Sequence, residues 1–129
     1  MSQAEYTCGL SIPLMGGFIG SALRYLMIVV FQDFSMIPFG TMISNFAGCF
    51  LIGIVTGLSV NIPLFSNETK LFLATGVCGG FTTLSSLIFE LGQYYKEKEY
   101  SIASFYLFGT LFGATIAFFA GLKLVEFFE

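Results

Sequence analysis

The sequence has no histidine and few charges: only 10% of its 129 residues are Asp, Glu, Lys or Arg, where soluble domains carry about 25%. Without histidine, His-ligated metal centres and His-dependent catalytic triads are excluded. Lys plus Arg number 5 against 8 Asp plus Glu, a net charge of −3. That leaves no basic patch to meet phosphates, so a nucleic-acid binder is excluded too. The three cysteines, Cys8, Cys49 and Cys78, are an odd number and imply no disulfide framework. Two of them lie in apolar runs, where a thiol behaves as a small hydrophobe. No nucleophile–base constellation or metal-ligand spacing is apparent, so an enzyme is not expected. What the chain does have is apolar residues, 56% of the total, and a mean hydropathy of +0.87. A soluble fold could not hide that much apolar surface. The chain reads as an integral membrane protein.

Four apolar stretches, residues 10–31, 39–60, 71–92 and 101–122, each run about 22 residues, enough to cross a hydrocarbon core of roughly 30 Å as a helix. The separators carry the breakers: Gln32-Asp33 to Pro38, Asn61-Ile62-Pro63 to Lys70, and the charged run Tyr94-Tyr95-Lys96-Glu97-Lys98-Glu99. The first stretch lacks a basic leader and contains Arg24, which argues against a cleaved signal peptide. The expected fold is therefore all-α, one transmembrane domain over residues 1–129, with no soluble domain. Small residues recur four apart: Gly16 and Gly20, Gly53 and Gly57, and Gly109, Gly113, Ala117 and Gly121. Such rows let helix backbones approach closely, and at least one is expected at an oligomer interface. Orientation is barely encoded. Lys70 and Lys123 fall on one side, Lys96 and Lys98 on the other, with Arg24 near the latter, so the positive-inside bias is close to nil. An antiparallel dimer of opposed subunits follows naturally.

Polar groups inside the spans carry the functional signal, since each is costly in lipid unless partnered or hydrated. Arg24 is the only basic residue within a span; it reads either as an interfacial anchor or as an electropositive mouth for anions. Thr41, Ser44, Asn45 and Gly48 share one helix face by their spacing, and Asn45 must use its amide on a neighbour, on water or on an ion. The third span reads Gly76-Val77-Cys78-Gly79-Gly80-Phe81-Thr82-Thr83-Leu84-Ser85-Ser86. Each glycine of the pair lowers helix propensity by about 1 kcal/mol relative to Ala. The threonine hydroxyls compete for backbone carbonyls. A break near the midpoint is expected, with freed carbonyls able to coordinate a small cation. Beyond it, Thr82, Ser85, Ser86 and Glu90 form a hydroxyl strip ending in a carboxylate, extended by Tyr106 and Thr110 one turn apart on the fourth span. Donors dominate, so the path suits an anion better than a cation.

The chain resembles the Fluc (CrcB) family of fluoride channels over nearly all its length. Three blocks carry the resemblance: Gly16-Gly17-Phe18-Ile19-Gly20-Ser21-Ala22-Leu23-Arg24-Tyr25, Gly40-Thr41-Met42-Ile43-Ser44-Asn45-Phe46-Ala47-Gly48 and Gly76-Val77-Cys78-Gly79-Gly80-Phe81-Thr82-Thr83. The resemblance implies an antiparallel dual-topology dimer in the cell membrane with two narrow fluoride pores that shed cytoplasmic fluoride passively. It implies a structural sodium ion at the dimer centre, held by backbone carbonyls at positions matching Gly79 and Thr82. Asn45 matches the pore-lining asparagine, Arg24 the vestibule arginine and Tyr106 a polar residue of the fourth helix, with Ser85, Ser86 and Thr110 on the hydroxyl track. Where the family usually has two phenylalanines whose ring edges contact fluoride, this sequence has Leu84 and Leu87. Two assemblies follow, a homodimer or a pair with a paralogous chain that supplies the aromatics. The alternatives are a coupled exporter of the small multidrug type and a non-conducting partner subunit. The exporter needs a carboxylate in the first helix, and residues 10–31 contain none.

Overall fold

In the computed structural model, which describes residues 3–32, 37–61 and 66–128, these are helices joined by short turns. Helix α1 spans Gln3–Val30 and α2 Phe39–Asn61. Helix α3 begins at Asn67–Lys70, continues through wider π-type turns over Leu71–Cys78 and ends in Gly79–Phe81. Helices α4 and α5 span Leu84–Lys96 and Tyr100–Phe127. Four stretches are long and apolar enough to cross a membrane: Gly9–Phe31, Phe39–Val60, Asn67–Lys96 and Tyr100–Phe127. The four expected spans are all present, and the third and fourth extend further than hydropathy alone suggests. The breakers Asp33 and Ile62-Pro63 lie outside the described residues. The charged run 94–99 does not act as one separator. Its first half completes α4, and the turn is confined to three residues.

That turn closes by a specific device. Lys98 N–H donates to the Tyr95 carbonyl (3.1 Å) and Glu99 N–H to the Tyr94 carbonyl (2.9 Å), with Lys98 left-handed at φ 61. This is the Schellman pattern, which satisfies two of the carbonyls a helix end leaves open. Lysine stands where glycine is usual.

The bundle is built from two close helix pairs. On one side α1 lies against α3 almost backbone to backbone. A Cβ added to Gly80 would sit 2.6 Å from the Gly17 carbonyl oxygen, and one on Gly76 would sit 2.8 Å from the Gly16 Cα. Phe72, Gly76 and Gly80 all meet α1, as do Val77 and Phe81. On the other side α2 and α5 run parallel. Phe46 lies on Gly113, Gly121 against Phe50 and Ile54, and Gly57 against Val125. The small-residue rows, at least one of which is expected at an interface between chains, are thus largely used inside one chain; a Cβ on Gly109 would meet open space. Leu87 and Tyr94 of α4 pack on Tyr106 of α5 as a small enclosed core. Most of the remaining apolar side chains face outward, as expected of a bundle whose solvent is lipid.

The break in the third span lies just after the glycine pair, not at it. Gly79 and Gly80 stay helical, because Gly80 is needed for close approach to α1 rather than for an unusual backbone. Thr82 (φ −81, ψ 154) and Thr83 (φ −151, ψ 122) are extended, the conformation that β-branched residues favour. Thr82 Oγ1 bonds back to the Cys78 carbonyl at 2.8 Å, and Thr83 Oγ1 caps α4 by accepting the Ser86 N–H at 3.1 Å.

Candidate functional site

The break is held open by a residue from another helix. Asn45, on α2 and 7% exposed, grips the Thr83 backbone from both sides: Thr83 N–H donates to Asn45 Oδ1 at 2.7 Å, and Asn45 Nδ2 donates to the Thr83 carbonyl at 3.2 Å. The side-chain amide thus satisfies both backbone groups that the extended residue exposes to the membrane interior, as such groups require. One Asn45 N–H remains for another partner.

This arrangement releases carbonyls of the broken helix. In an unbroken helix the Thr83 N–H would serve the Gly79 carbonyl and the Ser86 N–H the Thr82 carbonyl. Here the first goes to Asn45 and the second to the Thr83 hydroxyl. Gly79 is exposed and Thr82 half-buried, so the two carbonyls that fit a cation by chemistry are also without their usual donors. The Gly80 carbonyl has a different partner, Arg24 Nε at 3.0 Å. Arg24 therefore reaches the break, where its charge meets the negative end of the α3 dipole.

Towards one membrane face a second polar cluster follows. Glu90 on α4 accepts from Thr41 Oγ1 on α2 at 2.7 Å and from the Tyr106 hydroxyl on α5 at 2.6 Å. Thr41 and Tyr106 are fully enclosed. A cavity of about 320 Å³ opens above, with Gln32, Gln93 and Glu97 among its lining and Thr41 and Glu90 at its inner end. Arg24 is not among the residues lining this cavity.

The strip expected along α4 divides at its start. Thr83 Oγ1 donates to Ser86 Oγ at 3.3 Å and lies 3.2 Å from Ser85 Oγ. Ser85 is exposed and Ser86 half-buried. Of the two leucines at the aromatic positions, Leu84 is 70% exposed whereas Leu87 is 2% exposed and packed on Tyr106. Thr110 Oγ1, and likewise Ser44 Oγ on α2, are enclosed with no hydrogen-bond partner. Leaving a buried hydroxyl unpaired costs about 1–3 kcal/mol.

The structure thus brings Asn45, Thr82, Ser85, Ser86 and Arg24 together around the break, and Tyr106 together with Thr41 and Glu90. Thr83 as the partner of Asn45 was not singled out by sequence reasoning. Glu90 was read as the end of the hydroxyl strip that Tyr106 extends, but its bond to Thr41 of α2 was not. Among the described residues no three His, Cys, Asp or Glu side chains converge as metal ligands.

Comparison with known proteins finds that residues 11–122 match the family described as CrcB-like protein, Camphor Resistance (CrcB). A protein of Prosthecochloris aestuarii named fluoride-specific ion channel FluC is 44% identical over 112 residues, covering 86% of this chain and 88% of that one. Proteins of the same name from Chlorobium phaeobacteroides and Leptospira interrogans are 41% and 36% identical, covering 86% and 96% of this chain and 88% and 99% of theirs.

Proposed function

The chain belongs to the CrcB family, and from that premise we propose that it is a fluoride-selective channel of the cell membrane, crossing it four times. It moves fluoride passively out of the cytoplasm and is not an enzyme. The observation that carries this reading is the buried polar path between α2, α4 and α5, from the cavity above Glu90 down to Asn45 at the break.

The physical logic rests on replacing water. Fluoride is small and strongly hydrated, so a narrow path must offer hydrogen-bond donors at each point where the hydration shell is lost. Hydroxyl and amide donors on three helices supply them. The break adds a fixed field: α4 starts in the membrane interior, and the N-terminal end of a helix carries the equivalent of about half a positive charge. The opposite end, the C-terminus of α3, would repel an anion, and Arg24 on the Gly80 carbonyl offsets it.

The working unit in this proposal is an antiparallel pair. The even split of Lys70 and Lys123 against Lys96 and Lys98 supports insertion in both orientations. Sodium is assigned to the released carbonyls of Gly79 and Thr82, where it would supply a positive charge to the centre of the membrane. Leu84 lies exposed on the surface of the chain, so a partner, a second copy or a paralogous chain, can cover it.

The test is efflux of fluoride against chloride from liposomes holding this chain alone, read with ion-selective electrodes, with and without a proton gradient. Fluoride flux that excludes chloride and ignores the gradient supports a homomeric channel. Flux that requires the gradient supports a coupled exporter instead. Folded protein that passes no fluoride, alone or with a paralogous partner, overturns the proposal.

A further inference from the structure

Each end of α5 carries an exposed aromatic pair. At its start Tyr95 and Tyr100, 67% and 55% exposed, meet edge to face with ring centroids 5.8 Å apart. At its far end Phe127 and Phe128, 82% and 78% exposed, meet the same way at 5.5 Å. Both pairs lie outside the apolar stretch 101–122, so burial in the hydrocarbon core does not account for them. Left in water, four large rings would expose apolar area at a cost in free energy.

The dimensions of the helix say what meets them. Helix α5 runs for 28 residues without interruption, about 42 Å at the rise of an α-helix. A hydrocarbon core is about 30 Å thick, and about 40–45 Å with its headgroup regions. A helix crossing near the normal therefore sets one pair in each headgroup boundary, where aromatic rings are favoured. Charge does not make this contact. Lys96 and Lys98 are balanced by Glu97 and Glu99, and Lys123 is bridged to Glu126 at 3.3 Å. Neither end has the basic excess that recruits anionic lipid.

The middle of α5 is Gly113, about 20 Å along the helix from Tyr100 and about 21 Å from Phe127. Gly113 receives Phe46 of α2. Phe46 follows Asn45 in sequence, and Asn45 clamps Thr83. The break therefore lies level with the centre of α5.

We infer that the Tyr95–Tyr100 and Phe127–Phe128 pairs are docking surfaces for the zwitterionic phospholipid headgroup boundary on the two faces of the membrane, and that α5 between them is a ruler that holds the break at mid-depth. Equal distances to both faces also suit insertion in either orientation, since an inverted copy presents its break at the same depth. The inference needs the four spans and not fluoride conduction.

The chain contains no tryptophan, so a single tryptophan can report depth. Tyr100→Trp and Phe127→Trp report the two ends of α5. Phe112→Trp reports its middle, and Phe18→Trp on α1 is a second mid-depth reporter, next to the Gly17 that meets Gly80. All four side chains are exposed. Each variant is reconstituted in phosphatidylcholine vesicles brominated either near the headgroup or near the chain end, with aqueous iodide as the third quencher. The end reporters are expected to be quenched most by shallow bromine and the mid-depth reporters by deep bromine. Removing one pair, by Tyr95→Ala with Tyr100→Ala or by Phe127→Ala with Phe128→Ala, is expected to shift the mid-depth profile towards the shallow quencher, because interfacial anchors set the tilt and depth of a span. End reporters quenched by iodide alone lie in water and overturn the docking. End reporters shielded from iodide and from both lipids are covered by a second copy, which overturns it too. A mid-depth profile unmoved by both paired substitutions overturns the ruler. Quenching is read without ion flux, so a chain that passes no fluoride overturns the channel reading and leaves this inference standing.

Discussion

Removing the Asn45 amide is the most informative single change. In Asn45→Ala the Thr83 N–H and carbonyl, now held at 2.7 and 3.2 Å, both lose their partner. Neither can return to a helix bond while residue 83 is extended. Two unpaired buried groups at about 1–3 kcal/mol each give about 2–6 kcal/mol. Interhelical hydrogen bonds measured in membrane proteins average nearer 0.6 kcal/mol, because the disrupted state finds other partners. Asn45 is only 7% exposed and water has little access, so the low end of the first range is the expected figure. A loss of about 2 kcal/mol corresponds to roughly a thirtyfold shift in the folding equilibrium. The assay is reversible denaturant unfolding in mixed micelles, run beside fluoride efflux from liposomes. Asn45→Asp keeps an acceptor for the Thr83 N–H but loses the donor to its carbonyl, so it should regain part of the stability and little of the flux. Asn45→Ala with unfolding free energy within about 0.5 kcal/mol of the parent, the range of an uninvolved surface site, would refute the clamp. Undiminished flux in the same variant would remove Asn45 from the path.

The adjacent glycines should behave oppositely. Gly80→Ala drives a Cβ to 2.6 Å from the Gly17 carbonyl oxygen, and since a backbone atom cannot yield it should cost about 1–3 kcal/mol by overpacking. Gly79→Ala meets only the Ala74 carbonyl oxygen at 3.7 Å and should gain about 1 kcal/mol from helix propensity; thermal unfolding of the pair checks both. Leu84→Phe, on an exposed position, is expected to leave stability unchanged and raise fluoride flux. Leu87→Phe must expand against Tyr94 and Tyr106 and should cost about 1–3 kcal/mol, which separates the two aromatic positions in one unfolding experiment. Lys98→Gly relieves a left-handed lysine (φ 61) and should stabilise the chain by about 1 kcal/mol in detergent, where the change in loop charge cannot alter insertion.

Much of the fold was legible because apolar length is a direct consequence of bilayer thickness. Residues 39–60 needed no correction beyond a terminal residue. The break was legible near the middle of the third span, and the structure sets it at Thr82 and Thr83. Gly79-Gly80 weakens a helix by propensity, yet Gly80 is spent on letting α1 approach, and the extended residues are the β-branched Thr82 and Thr83. The four-residue rows of small side chains revealed close approach without revealing the partner helix, since periodicity encodes a face and not its neighbour. The polar cluster was legible only in fragments. Thr41 and Glu90 are 49 residues apart and Asn45 and Thr83 are 38 apart, and no local pattern connects them. That Ser44 and Thr110 lack partners is a property of the packed bundle alone.

The Asn45–Thr83 pair also has a consequence for the order of synthesis. Helix α2 leaves the ribosome before the third span does, so the amide that accepts the broken backbone is already in place when Thr83 arrives. The interruption need never be tolerated bare in lipid. The Glu90 cluster has the reverse timing: Thr41 precedes the carboxylate, but Tyr106 is made last. Until α5 is inserted, Glu90 holds one of its two partners. The break is therefore set early, by a template, whereas the polar layer above it closes only with the final helix. A nascent chain halted before residue 100 would carry the interruption but not the path.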